Sequence, residues 1–122
     1  MLTEVRNVRQ VPGEGFRRCF LDERMDLTIW YQSPGSLFGF QLSCATERET
    51  RVLTWTSARG FTHALLDDGE DKPTVNRTPI LWPAPLGDVA PFREAYLAAS
   101  GGLPEAERTF ISTRLAELSL ET

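Results

Sequence analysis

The fold is decided by residues 38–44, Phe38-Gly39-Phe40-Gln41-Leu42-Ser43-Cys44, in which apolar residues alternate with small or polar ones. Because successive side chains of a β-strand point to opposite faces of the sheet, this alternation predicts a strand with one buried face. The residues expected to face the core are Phe38, Phe40, Leu42 and Cys44.

The segment before this strand predicts its partner. Residues 26–31 repeat the two-residue period and place Leu27, Ile29 and Tyr31 on one face. Between the two strands stands Ser33-Pro34-Gly35-Ser36. Proline presets the first central dihedral of a type II turn, and glycine accepts the positive dihedral that follows. We therefore expect an antiparallel hairpin.

Shorter apolar runs on both sides extend this hairpin into a larger sheet. A first extended stretch, which ends at Pro12-Gly13, carries Val5, Val8 and Val11. Further strands are expected at residues 16–21, 51–56 and 61–66. Residues 67–87 follow neither period, and their prolines and glycines predict a long irregular connection with a short edge strand at 80–82.

Two helices are predicted at the end of the chain. Asp88 suits an N-cap, and apolar residues follow at helical spacing until Gly101-Gly102 interrupts them. Pro104 suits the first turn of a second helix. The apolar stripes are Val89, Phe92, Tyr96 and Ala99 in the first helix and Ile111, Leu115 and Leu118 in the second.

These elements predict an α+β fold, an antiparallel β-meander of about five to six strands with two C-terminal helices packed on one face. A chain of 122 residues has the common length of one domain, so residues 1–122 are expected to form a single domain. Strands are expected mainly over 1–66, the irregular connection over 67–87 and the helices over 88–119.

Composition disfavours several classes of protein. Seventeen acidic residues against thirteen basic ones give a net charge of -4, whereas nucleic-acid binding normally needs a basic surface. Arg17-Arg18, the basic cluster, would point to opposite faces of a strand, so we expect surface charge there rather than contact with phosphate or nucleic acid, and no nucleic-acid partner. No apolar window spans a membrane and no secretory signal opens the chain. We expect a cytoplasmic protein without a membrane partner, in which Cys19 and Cys44 are free thiols.

Residues 60–72 hold the sole histidine, four carboxylates and the sole lysine. On one extended strand His63 and Asp67 would stand about 13 Å apart, too far for a base and its orienting carboxylate. An enzymatic hypothesis therefore needs a carboxylate that the chain folds back, with or without a metal ion. The catalytic candidates are His63, Asp68 and Glu70, with Asp67 and Asp71 as further carboxylates. The competing interpretation is a core imidazole beside Phe61 and Leu65.

A ligand pocket is a second hypothesis for the same region. Trp30, Trp55 and Trp82 could line an apolar pocket, or they could fill the interface between sheet and helices. The candidate ligand-binding residues are Trp55, His63, Asp67, Asp68, Arg77 and Trp82. Calcium-loop, nucleotide-binding and serine-nucleophile motifs are missing from the sequence, so we expect neither a bound metal nor a cofactor.

The order of several short motifs resembles a family of small, uncharacterised bacterial proteins. The resemblance implies a bacterial origin and a single compact domain, and it transfers no activity, cofactor or catalytic residue. It spans most of the chain up to Leu81 and is carried by Val11-Pro12-Gly13, Arg17-Arg18, Asp26-Leu27, Trp30, Gly39-Phe40-Gln41-Leu42, Leu53-Thr54-Trp55, Gly60-Phe61, His63, Asp67-Asp68-Gly69-Glu70 and Thr78-Pro79-Ile80-Leu81.

Three hypotheses of function follow. The first is a non-enzymatic module that binds a small ligand or a protein near residues 60–82. The second is a small enzyme that uses His63 with one of the nearby carboxylates. The third is a self-associating domain that forms a homodimer through a sheet edge or a tryptophan face. The enzymatic hypothesis alone depends on His63.

Overall fold

Antiparallel strands that follow one another in chain order form the sheet of this protein. Its computed structural model describes residues 1–10, 12–13, 15–33, 36–45, 49–67, 80–83 and 90–121. Within these residues the strands are β1 (Thr3–Glu4), β2 (Phe16–Leu21), β3 (Met25–Ser33), β4 (Ser36–Ala45), β5 (Thr50–Thr56), β6 (Gly60–Asp67) and β7 (Ile80–Pro83). The helices are α1 (Ala90–Ala99) and α2 (Glu105–Glu121), joined through a 3-10 turn at Ser100–Gly102. The predicted N-cap Asp88 and the turn residues Pro34 and Gly35 lie outside the described residues.

The helices cover one face of this meander, which confirms the predicted α+β fold. Buried and less buried residues alternate along β3, as the two-residue period requires. The helices contribute the described residues of their predicted apolar stripes to the same core, whereas Val89 lies outside the described residues. Each buried leucine or phenylalanine contributes about 1.5–3 kcal/mol, so this shared core holds the helices on the sheet. Its helical members include Phe92, Tyr96, Ala99, Ile111, Leu115 and Leu118.

One predicted core position, that of Phe38, is wrong because of a β-bulge. The register of β3 and β4 shifts so that Trp30 pairs with Gly39 while Tyr31 pairs with Leu37. Leu37 therefore packs against the core, whereas Phe38 stacks on Trp30 with ring centroids 6.4 Å apart. An extra residue in one strand reverses the face of the sheet to which the side chains beyond it point. The two-residue period of the sequence does not show where such a bulge lies.

The start of the chain is anchored between the sheet and the helices. The amide of Leu2 donates to the carbonyl of Ala99 at 2.9 Å, and the Leu2 side chain is buried. Beyond β1, the amide of Val5 donates to the carbonyl of Cys19 at 2.8 Å. Among its described residues, the predicted extended stretch joins the ladder only at its beginning, because Asn7 adopts a left-handed conformation with φ of 58° and turns the chain away. Val11 lies outside the described residues.

No helix in the described part of the chain is long and apolar enough to cross a membrane. Cys19 and Cys44 are both unpaired, as predicted. Burial raises the pKa of the Cys44 thiol, which therefore stays protonated and is a poor nucleophile.

We predict that two glycines with similar backbones differ in their tolerance of a side chain. Gly15 has a φ of 75°, and a Cβ there would collide with the carbonyl oxygen of Tyr31. Gly60 has a φ of 72°, with nothing within 4 Å of an added Cβ. Gly60→Ala should cost about 1–2 kcal/mol through its left-handed backbone. Gly15→Ala should cost more because the collision adds to this strain. Urea unfolding measures both, and equal losses would contradict the packing of Gly15 against β3.

We also predict that Tyr96 makes the fold sensitive to alkali. Burial raises the pKa of Tyr96 to about 12 from an ordinary value of 10.0, so the folded state holds the phenolic proton more tightly than the unfolded state. This contribution is complete below pH 10 and is lost as the pH rises toward 12. Tyr96→Phe should cost about 1 kcal/mol at pH 7, where it loses the hydrogen bond to the Arg108 carbonyl.

The difference in unfolding free energy between wild type and Tyr96→Phe should then shrink between pH 10 and pH 12. Both proteins retain Tyr31, whose contribution cancels in the comparison. Denaturant titrations at several pH values measure the difference, and parallel pH profiles would show that Tyr96 does not titrate in this way.

Candidate functional site

His63 lies on the face of β6 that the helices cover, opposite Leu53 of β5. Its side chain is buried, with 9% of its surface exposed. The Nε of Arg51 donates a hydrogen bond to Nε2 of His63 at 3.1 Å. The Phe92 ring of α1 packs edge-on to the imidazole at 6.1 Å, and the Arg51 guanidinium lies over that ring at 4.7 Å. Three elements therefore meet at this histidine.

This arrangement engages Nε2, one of the two ring nitrogens that an acid–base role could use. Because Nε2 accepts a hydrogen bond, the imidazole carries its proton on Nδ1 in this geometry. A general base needs a lone pair that can reach a substrate proton, and here a guanidinium covers that lone pair. The placement of His63 favours the interpretation of a packed core imidazole.

Trp55 is half-buried among side chains of the sheet and of α2. It stacks on Phe40 with ring centroids 6.0 Å apart and meets Phe110 edge-on at 5.3 Å. The Arg114 guanidinium lies over the indole at 4.8 Å. This packing favours the alternative in which Trp55 fills the interface between sheet and helices.

The other predicted site residues are described less fully. Asp67 pairs with Ile80 in the register of β6 and β7, and Trp82 pairs with Leu65. For Asp67 and Trp82 the described structure is that of the backbone. The candidates Asp68, Glu70, Asp71 and Arg77 lie outside the described residues.

Of the candidates with described side chains, the structure brings His63 and Trp55 to one face of the sheet, with different neighbours around each. The described residues contain no group of three or more histidine, cysteine, aspartate or glutamate side chains that could hold a metal ion.

An open cleft that the sequence did not predict lies at the other edge of the sheet, between residues 3–10 and β2. Residues 3–10 are called the N-terminal arm below, and this space of about 780 Å³ is called the arginine cleft. Its described lining carries three arginines and one glutamate, a formal excess of two positive charges in a chain of net charge -4. The lining includes the side chains of Glu4, Arg6, Gln10, Phe16, Arg17 and Arg18.

Gln10 closes one end of the cleft by imitating a strand residue. Its amide nitrogen donates to the carbonyl of Arg17 at 3.0 Å, and its amide oxygen accepts from the Arg17 amide at 3.0 Å. A side-chain amide has the donor and acceptor of a peptide group, so it satisfies both backbone groups of Arg17 at the sheet edge. The Arg17 Nε donates in turn to the carbonyl of Arg9 at 2.8 Å. The outer end of the arm is thereby held to β2.

Arg18 is engaged in a network that holds the arm against β2 and α2. Its Nε and Nη2 donate to the two carboxylate oxygens of Glu4 at 2.8 and 2.7 Å. Its Nη1 lies 4.0 Å from Glu107, whose carboxylate accepts a hydrogen bond from the Tyr31 hydroxyl at 3.3 Å. The hydrogen bonds from Arg18 hold the pKa of the Glu4 carboxyl below its ordinary value. Arg18 therefore contributes positive charge to the cleft, but its N–H groups are engaged by carboxylates of the protein itself.

Donors available to a ligand belong to Arg6 and Arg17. Neither the Arg6 side chain nor the terminal nitrogens of Arg17 bond to a residue that the structure describes. Guanidinium groups match carboxylates and phosphates in geometry, so this pair suits an anionic group. The arrangement can bind and orient an anion.

A sequence signal for the cleft exists, although its meaning depends on the fold. Arg6, Arg9, Arg17 and Arg18 fall within thirteen residues of an otherwise acidic chain. Arg17 pairs with Trp30 and Arg18 with Ile29, so the two do alternate between faces as predicted. Both still line the cleft because it runs along the sheet edge.

Comparison with protein-family models, curated proteins and solved structures gives no match. The resemblance to small bacterial proteins depends on the order of short motifs alone, and bacterial origin stays a prediction. The function of the cleft must therefore be inferred from its own residues.

We predict that His63 stabilises the fold. His63→Ala should lower the unfolding free energy by about 1–3 kcal/mol, because it leaves a cavity and removes the acceptor for Arg51. Thr62→Ala is the matched control, since Thr62 is the exposed neighbour on the same strand, and it should change stability by no more than about 0.5 kcal/mol. Urea unfolding measures both, and a similar small loss in both variants would contradict a structural role for His63.

Proposed function

We propose that this protein is a non-enzymatic binding module and that the arginine cleft binds a small anionic ligand. The observation that supports this proposal most is the pair Arg6 and Arg17, which face one concavity with donors that no described residue engages. The excess positive charge of the cleft opposes the net charge of -4 on the whole chain, so an anion is drawn to this region in preference to the rest of the surface.

Rigidity of the cleft walls supports binding as well. The arm is held to β2 at Val5 by a backbone hydrogen bond and at Gln10 by its side-chain amide. Glu4 and Arg18 add a bidentate ion pair between these anchors. A site whose walls are already ordered loses less conformational entropy when a ligand binds.

The state of His63 favours binding over catalysis. The chain contains one histidine, and its Nε2 accepts a hydrogen bond from Arg51 inside the core. A small-molecule binding site requires shape and polar complementarity and does not require that histidine.

We predict that Arg6 contributes to anion binding without supporting the fold. Wild-type protein titrated with citrate up to 10 mM at low ionic strength should show amide chemical-shift changes concentrated in the N-terminal arm and β2. Arg6→Gln should weaken this binding about tenfold, the effect of one charge-assisted hydrogen bond of about 1.4 kcal/mol. Raising the salt concentration should weaken it further because ions screen the cleft.

Arg59→Gln is the control, since Arg59 is an exposed arginine in the turn between β5 and β6. It should bind citrate like the wild type, and both variants should unfold like the wild type. Absence of shift changes in the arm of the wild-type protein, or an equal loss in both variants, would overturn the proposed function.

A further inference from the structure

Phe16 is an exposed aromatic residue in the lining of the arginine cleft. It leaves 49% of its surface exposed, whereas Phe20, Phe40 and Phe92 are almost completely buried. A large aromatic ring at the surface costs hydration free energy unless something covers it. Phe16 and Arg17 point to opposite faces of β2, but both line the cleft with Arg6 because the cleft runs along the sheet edge, so a ligand in the cleft can cover the ring.

The Phe16 ring is supported from within the protein. Phe16 pairs with Tyr31 across β2 and β3, and their ring centroids are 5.8 Å apart at an angle of 44°. Tyr31 is buried, and its hydroxyl donates to Glu107 of α2. A ring backed by an ordered, buried tyrosine keeps its orientation, so Phe16 offers a preformed surface for stacking.

We infer that the ligand is an aromatic anion, a small molecule whose planar ring stacks on Phe16 while its carboxylate or phosphate meets Arg6 and Arg17; this inference depends on the proposed function of the cleft. A volume of about 780 Å³ falls within the usual range for small-molecule sites, about 300–1,000 Å³. Both kinds of ligand have an aromatic ring joined to an anionic group. The experiment below distinguishes a carboxylate from a phosphate.

The test compares ligands that differ in the ring alone. Adenosine monophosphate and ribose 5-phosphate carry the same phosphate, and indole-3-acetate and acetate carry the same carboxylate. The wild-type protein should bind the aromatic member of at least one pair about two- to tenfold more tightly, the range expected for one aromatic contact. The pair with the larger ratio identifies the anion. Amide chemical shifts measure each dissociation constant, and the shifts of Phe16 and its neighbours report the position of the ring.

Phe16→Leu keeps an apolar side chain and removes the ring. It should abolish the preference, so that each aromatic probe binds no more tightly than its non-aromatic counterpart. Leu97→Ala is the control, since Leu97 is an exposed apolar residue of α1, and it should keep the wild-type preference.

The two proposals fail in different ways. Equal binding of both members in both pairs by the wild-type protein would overturn the aromatic ligand while the anion-binding function stands. If citrate and all four probes fail to bind, the proposed function fails as well. Because the comparison between ligands needs no variant, it remains valid if Phe16→Leu folds poorly.

Discussion

One row of side chains across the sheet must be buried, and the rest of the structure depends on this constraint. Phe20, Leu27, Leu42, Leu53 and His63 stand in register across β2 to β6 on the face that the helices cover. Leu27, Leu42 and Leu53 have no exposed surface. A shift of one residue in any strand pairing would move an apolar side chain of this row to the other face, so burial under α1 and α2 sets the register of the whole meander.

The same constraint determines the state of the sole histidine. His63 ends the buried row, so the register that buries the leucines also places the imidazole in the core. Its Nε2 must then find a partner, because an unsatisfied polar atom in the core costs about 1–3 kcal/mol. Arg51 supplies that partner from the neighbouring strand and packs its guanidinium over Phe92. The residue with the best catalytic chemistry in the sequence thus becomes part of the packing between sheet and helix.

At the opposite edge of the sheet, the need to protect backbone groups accounts for the arginine cleft. β1 covers only the end of β2, so the remaining edge would offer unpaired backbone groups. Gln10 covers Arg17 with its amide, while Asn7 bends the intervening chain outward. The space beneath that bend is the arginine cleft. An arrangement that closes a sheet edge therefore also leaves Arg6 beside a concavity.

Local periodicity was sufficient to predict the meander and the two helices, because alternation in residues 38–44 and the stripe through Ile111 and Leu115 are properties of neighbouring residues. Tertiary structure decided two further features, the bulge that moves Phe38 out of the core and the hydrogen-bond partner of His63. The sequence alone allowed both a core histidine and a site histidine. The arginine cleft also depended on tertiary structure. It lies between the N-terminal arm and β2, and Arg18 links this region to α2. Contacts between segments so far apart in the chain have no periodic signal, and only the packed fold brings them together.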